Sequence, residues 1–497
     1  MSSEVFSEKE TVFFVCGGHS QVGGCTLQYV FDNGGFSGFD KSKIMDGNGD
    51  PIISVSDATY RNATGIIEEG TPGDFDDAEA GMILNIYKAG GIDTPGRYEI
   101  TAVGSGTVTI KTGLASGDVS DCFVYVGGSF DTLKNALDNI TANDAGGAHS
   151  CYLFTNTSEV ITAQPVVSGG GNIEYNTKLF ITGFKTTLLD MMPGGTYYQS
   201  AYDAYKDGID SDCHTVIDLG DINAFSVDSD CVIVQNIRIT NCPTGSAPVY
   251  IAAAIRGVIF NNCILDTGSW IIYGESSSTN IYFIDCYMFG NTSTLTSIDS
   301  GNCDFYFIGC IADMGAVDLA MFAATSTDRL VVTGCLLIGG RRIFSGHGDF
   351  NEWNNTVIAH ATNTDAVHRM NGATALRIGF GDIVVIPQAG NVVDIGSSGG
   401  CVLWQGFQCI WGSDDAEYTG DYSINAKSGG GVNRLDLSSF KADPDLDGNY
   451  RARNPQVLRG GPAMLSNGRS QLGAIKQKYQ FPQKGRTVNH GRLGILR

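Results

Sequence analysis

The chain has 497 residues, 42% hydrophobic and only 17% charged, with a formal net charge of −22. That length and apolar content suffice for several domains or one long solenoid and exclude a disordered chain. Its 66 glycines come without proline enrichment or a Gly-x-y period, which excludes a collagen-like rod and points to many tight turns. The first residues carry no basic leader, and no apolar run reaches the length of a membrane span, so neither a signal peptide nor a membrane partner is expected. The 14 cysteines include no CxxC pair, and most sit beside apolar residues; they are expected to be buried free thiols rather than disulfides or a zinc site.

Residues 1–45 hold a short strand, Thr11 to Cys16, and a short helix, Thr26 to Asp32, and read as an arm or the start of a domain. Residues 46–126 read as a small all-β module, with strands at Ile52–Val55, Met82–Tyr87, Tyr98–Val103, Val108–Lys111 and Cys122–Val126 separated by Gly- and Pro-bearing turns. Residues 127–150 contain an amphipathic helix over 130–140. Phe130, Leu133, Leu137 and Ile140 share one face, and Ser129 or Asp131 is the expected N-cap. A solenoid needs its first rung covered, and a helix in this place supplies the cap.

A repeat fills residues 151–430. Val258-Ile259-Phe260-Asn261-Asn262-Cys263 is followed by Ile281-Tyr282-Phe283-Ile284-Asp285-Cys286 and Phe305-Tyr306-Phe307-Ile308-Gly309-Cys310. Leu330-Val331-Val332-Thr333-Gly334-Cys335 and Asn351-Glu352-Trp353-Asn354-Asn355-Thr356 continue it. The phrases end at 237, 263, 286, 310, 335, 356, 383 and 407, steps of 21 to 27 residues. Each copy has room for three short strands and three turns but not for a helix of ten residues. The polar bend inside each phrase takes Asn, Asp or Gly, which tolerate the left-handed region, and its asparagines are expected to stack as a ladder. The predicted fold is all-β: a right-handed, single-stranded parallel β-helix with a small N-terminal all-β module and an extended basic C-terminal tail over 431–497.

Two features stand outside the repeat. The excursion Pro193 to Asp212 is rich in tyrosine, and Tyr197, Tyr198, Tyr202 and Tyr205 make it a candidate contact surface, a lid on the solenoid wall, or a subunit contact. Residues 451–497 hold 10 Lys or Arg and no Asp or Glu, against a net −32 on the rest. Arg469, Lys476, Lys478, Lys484, Arg486 and Arg492 are therefore candidate contacts to an acidic surface, with the chain's own body or a neighbouring subunit preferred over nucleic acid.

On the phrases of the form IYFIDC and FYFIGC, the helix FDTLKNALD and the segment FKADPDL, the chain resembles the pectate-lyase-like superfamily of parallel β-helix proteins over about 130–475. The resemblance implies the fold. It leaves function open, because that superfamily includes lyases, hydrolases, phage tailspikes and inert virion proteins. Look-alikes of its polygalacturonate-hydrolase motifs occur at Gly346-His347-Gly348, Asn363-Thr364-Asp365 and Asp414-Asp415, but in the wrong order and without an Arg-Ile-Lys element. His347 and Asp415 lie nearly three coils apart, about 14 Å, too far to act across one sugar. Arg341, Arg342, Asp349 and Glu352 form the densest mixed-charge patch and read as an exposed turn. Asp46 to Asp50 alternates oxygen donors but lacks the rest of a calcium loop. No catalytic residue, metal or cofactor is assigned. The expectation is a non-enzymatic structural protein of a virion: a head decoration, head fibre or tail appendage. It would form a homo-oligomer, a trimer favoured, with other virion proteins as partners. A polysaccharide-degrading tailspike-type lyase or hydrolase, or a glycan-binding adhesion protein, is the alternative.

Overall fold

The computed structural model describes residues 11–16, 24–33, 40–46, 49–88 and 96–137, then most strands and short bends between 149 and 457; residues 1–10, 138–148, 458–497 and several turns lie outside the described residues. The body is a parallel β-solenoid. Three sheets of 13, 11 and 10 strands run side by side, parallel except where Gly24–Thr26 joins the start of the first antiparallel to Thr11–Val15, and each coil contributes one strand to each sheet in turn. In one coil Val258–Asn261 lies in the first sheet, Ile264–Asp266 in the second and Ile272–Gly274 in the third; Thr279–Ile284 then returns to the first.

The bend between the first two strands explains the Asn/Asp/Gly preference. Asn236, Asn262, Asp285 and Asn354 have φ of 51–55°, and Gly309, Gly334 and Gly381 have φ of 65–77°. A β-branched or bulky residue at this corner would be strained, whereas Asn and Asp tolerate it and Gly pays no Cβ penalty. The asparagine ladder is only two rungs long: the Asn262 amide donates to Asn236 Oδ1 at 2.9 Å, and the Asn236 amide donates to the Met191 carbonyl.

The parallel ladder begins upstream of residue 151. Thr11–Val15 pairs in parallel with His149–Phe154. A seven-stranded antiparallel sheet, holding Ile53–Arg61 and Val119–Val126 among others, is thus inserted between the first two parallel strands. Side-chain alternation on Thr11–Val15 serves both bodies. Phe13 and Val15 face the solenoid core, while Val12 and Phe14 are buried with the antiparallel sheet.

Residues 133–137 are helical, and Leu133, Ala136 and Leu137 are buried in the solenoid core, as a cap requires. The capping residue is neither Ser129 nor Asp131. Thr132 Oγ1 accepts from the Asn135 amide, while the Ser129 hydroxyl donates to the Gly49 carbonyl. Phe130 pairs with Val15 before the helix starts, which moves the cap one residue past Asp131. Ile140 lies outside the described residues.

Candidate functional site

Inside the coils, like stacks on like. Phe260, Phe283 and Phe307 are buried with ring centroids 5.2 and 4.9 Å apart and nearly parallel planes. Beside them Cys263, Cys286, Cys310 and Cys335 occupy one radial place, each thiol donating to a carbonyl of the preceding coil at 3.2–3.4 Å. Burial pushes the Cys286 and Cys335 thiols well up, so they are inert hydrophobes rather than nucleophiles. All 11 cysteines among the described residues are free and buried.

The interior then changes chemistry. Val332 pairs with Glu352, so Glu352 takes the inward place held by Phe283 and Phe307 above it. Phe350 pairs with Arg377, which takes the neighbouring inward place. Glu352 and Arg377 are each 0% exposed and form an ion pair inside the solenoid. Asn355 and Asp382 continue the cysteine row: the Cys335 amide donates to Asn355 Oδ1, and the Asn355 amides donate to Asp382 Oδ1. The mixed patch expected at an exposed turn is thus dispersed. Glu352 is sealed in the core, Asp349 lies on the outer face opposite Arg329, and Arg342 belongs to the third sheet. Sealed in this way, the pair is out of reach of a substrate.

The Tyr-rich excursion folds back on its own solenoid. It leaves after Leu179–Phe184 and returns at Thr215–Asp218, and its helix, Ala201–Asp207, is capped by Ser200. Ala201 and Ala204 pack on Ile264, Tyr287, Ile311 and Leu336, the outer face of the second sheet. The Tyr198 hydroxyl donates to Asp285 Oδ2 at 2.6 Å; burial raises both pKa values. Lys185 sits 4.5 Å over the Tyr197 ring. From the far end, Phe440–Lys441 closes the second sheet and the chain turns back along the same face, burying Ala452 and Val457 against Ile383 and Cys409. The two straps meet: Tyr202 donates to the Asn449 carbonyl, Tyr205 and Tyr450 share a hydrogen bond of 2.8 Å, and Lys206 donates to the Gly448 carbonyl. His214, at the return of the first strap, is 1% exposed, and burial lowers its pKa to about 4. Arg469, Lys476, Lys478, Lys484, Arg486 and Arg492 lie outside the described residues.

The outer face of the first sheet is the candidate site. Ile233, Ile259, Tyr282, Tyr306 and Val331 stand in one register row, and Ile284, Ile308, Thr333, Trp353 and Phe380 in the next. The Tyr282 and Tyr306 rings stack at 4.5 Å and 12°. A third row holds Asn280, Asp304, Arg329 and Asp349, with Arg329 3.8 Å from Asp304. Sequence reasoning missed this face, although the second residue of each phrase (Ile, Tyr, Tyr, Val) is apolar where a solvated strand would alternate to polar.

The hydrolase look-alikes at His347, Asn363 to Asp365 and Asp414-Asp415 lie outside the described residues. Of the stretch from Asp46 to Asp50, Asp46 Oδ1 accepts from the Asp50 amide, and residues 47 and 48 lie outside the described residues. Among the described residues no group of three or more His, Cys, Asp or Glu is placed to hold a metal ion, and no helix is long and apolar enough to cross a membrane.

No protein-family model matches the chain, and no curated protein matches its sequence. Among solved structures it is similar to the tailspike protein gp49 from Pseudomonas phage LKA1, at 12% identity over 80% of this chain and 62% of that one, with a TM-score of 0.23. The chain therefore spans less than two thirds of that protein's length. The class of the protein, a parallel β-solenoid with an inserted antiparallel β module, rests on its own strand register and not on that likeness.

Proposed function

We propose that the chain is a non-enzymatic structural component of a phage particle: a head decoration, head fibre or tail appendage. It is assembled as a homo-oligomer, with three copies favoured, and joins other virion proteins. The observation that carries this reading is the strapped solenoid. A continuous ladder of coils has its capped end sealed by residues 133–137 and its second face locked by two segments some 245 residues apart. Such a body is stiff, a property a particle exposed to the environment needs. The interior charges are enclosed rather than presented, and the basic residues after 458 suit an acidic neighbour such as another copy. The test is to purify phage particles through a density gradient and quantify this chain by mass spectrometry. The reading requires an integral number of copies per particle in proportion to capsid protein. Absence from the particles overturns it.

A second reading is favoured by the third row of the first sheet. Asp304 and Asp349 flank Arg329 on successive rungs. Two rung spacings put their backbones about 9.6 Å apart, close to the roughly 6.5–9.5 Å that separates the carboxylates of inverting glycosidases. Release of reducing ends from capsular polysaccharide, abolished by Asp304→Asn and by Asp349→Asn, would replace the structural reading with this one.

A further inference from the structure

We infer that the outer face of the first sheet, from Ile233 to Phe380, is the surface on which a second copy of this chain packs; the inference rests on the structural reading above and names its assembly surface. The three outer faces of the solenoid differ in what covers them. In the third sheet the row of Tyr250 passes by register through Tyr273, Ser297, Ala323 and Ser345 to Arg369, Asp394 and Asn425, a sequence that becomes polar and charged towards its end. The second sheet has an apolar outer face, and its own chain covers it with the two straps. Among the described residues the first sheet also has a largely apolar outer face over its central rungs, interrupted by Gln235, Asn261, Thr333 and Asn351. At its start that face is covered too, since Val12 and Phe14 are buried beneath the antiparallel module. Val12 leads by register through Ser150 and Phe180 to Ile233, Ile259, Tyr282 and Tyr306. The uncovered stripe is thus the continuation of a face this protein already uses for packing. Ile308 on it is 37% exposed, high for an isoleucine flanked by strands on both sides. Contiguous apolar surface of this extent marks a contact site.

Size, charge and shape select the occupant. From Ile233 to Phe380 is six rung steps, about 30 Å, or nearer 38 Å with the side chains at each end. Three rows of side chains make it about 18 Å wide, so the face offers roughly 700 Å² per copy, close to the roughly 800 Å² that each partner contributes to a stable interface. The two central rows named above carry no charged side chain, and the third pairs Arg329 with Asp304. The stripe therefore does not complement the basic segment after 458 or a polyanion. It is, however, a broad area among the described residues where two copies of a strongly acidic body can meet with few like charges facing each other. A sugar ring stacks on an exposed aromatic face, but the facing sides of Tyr282 and Tyr306 are taken up by their stacking on each other. That geometry suits a flat protein surface.

The test is sedimentation velocity on the full chain at micromolar concentration. The variants are Ile284→Lys with Ile308→Lys on the stripe, and Tyr250→Lys on the third face as control. Thermal midpoint and far-ultraviolet circular dichroism check that each variant folds. The expected result is an oligomer for the wild type and for Tyr250→Lys, and at least a tenfold loss of association for the stripe double variant with an unchanged spectrum. If the double variant fails to fold, Ile308→Glu alone is read in its place, since that side chain is the most exposed of the row. A wild-type monomer, or an oligomer indifferent to the stripe variants, overturns the inference. Cleavage or capture of polysaccharide by an oligomer that the stripe variants do dissociate would sink the structural reading while leaving this surface standing.

Discussion

Arg377→Leu should destabilise the solenoid far more than the double variant Arg377→Leu with Glu352→Leu. Both side chains are fully enclosed and oppose each other across adjacent coils. Removing the guanidinium leaves the enclosed Glu352 carboxylate without its ion-pair partner, and breaking a buried pair from one side costs about 3–5 kcal/mol. Replacing both with leucine returns the interior to the apolar composition of the coils above, and such replacements are often neutral or stabilising by about 1–4 kcal/mol. For a body of some 400 residues, one kcal/mol corresponds to about 1 °C in the unfolding midpoint if it melts as one unit. The single variant should then fall by about 3–5 °C and the double variant by less than about 1 °C. Calorimetry at fixed scan rate reads both, and Glu352→Leu completes the cycle. If the losses of the two single variants simply add in the double variant, the two side chains do not interact and the register placing them inside is wrong.

Burial holds His214 neutral with a pKa of about 4, against 6.5 when unfolded. Below 6.5 the unfolded chain takes up this proton first, so stability present above 6.5 is lost as pH falls towards 4, by about 3 kcal/mol in total; a His214→Phe variant should show a shallower decline of its midpoint over this window. Loss of the strap contact through Tyr205→Ala with Tyr450→Ala should raise trypsin cleavage at Lys206 and Arg451 by about tenfold while the coils stay intact, measured by peptide mapping over time. The thiols of Cys263, Cys286, Cys310 and Cys335 should resist iodoacetamide in the native protein and react together on unfolding; rapid native labelling of any one by mass spectrometry would contradict the inward row. Phe307→Ala should cost about 3–5 kcal/mol, the outward Tyr306→Ala under about 1 kcal/mol in the dissociated protein, since only the first opens a cavity.

The solenoid was legible because backbone pairing between coils holds contour length nearly constant, and the phrases ending at 263, 286, 310 and 335 fall in register as written. The copy after them was misaligned by one. The row of Cys335 continues to Asn355, not Thr356, and then to Asp382, not Ile383. A one-residue slip exchanges the faces of a strand, and it turned Glu352 outward in the sequence reading. No apolar pattern could correct it, because a buried ion pair breaks that pattern. The strand Thr11–Val15 was visible locally, but its partner lies beyond an inserted module of about 80 residues, and such long-range pairing leaves no periodic trace. The straps were half legible: tyrosines at 198, 202 and 205 signalled a packed or binding surface, but their acceptors at Asp285, Asn449 and Tyr450 are 87 to 247 residues away.

Distances along the first sheet put coil stacking to the most direct test. Spin labels on cysteines introduced at Gln235 and, in turn, at Thr333, Trp353 and Phe380 occupy one outward row four, five and six rungs apart. Pulsed electron–electron resonance should return mean separations near 19, 24 and 29 Å, rising by about 4.8 Å per rung. Separations that fail to rise evenly with rung number would mean that the coils do not stack in this register.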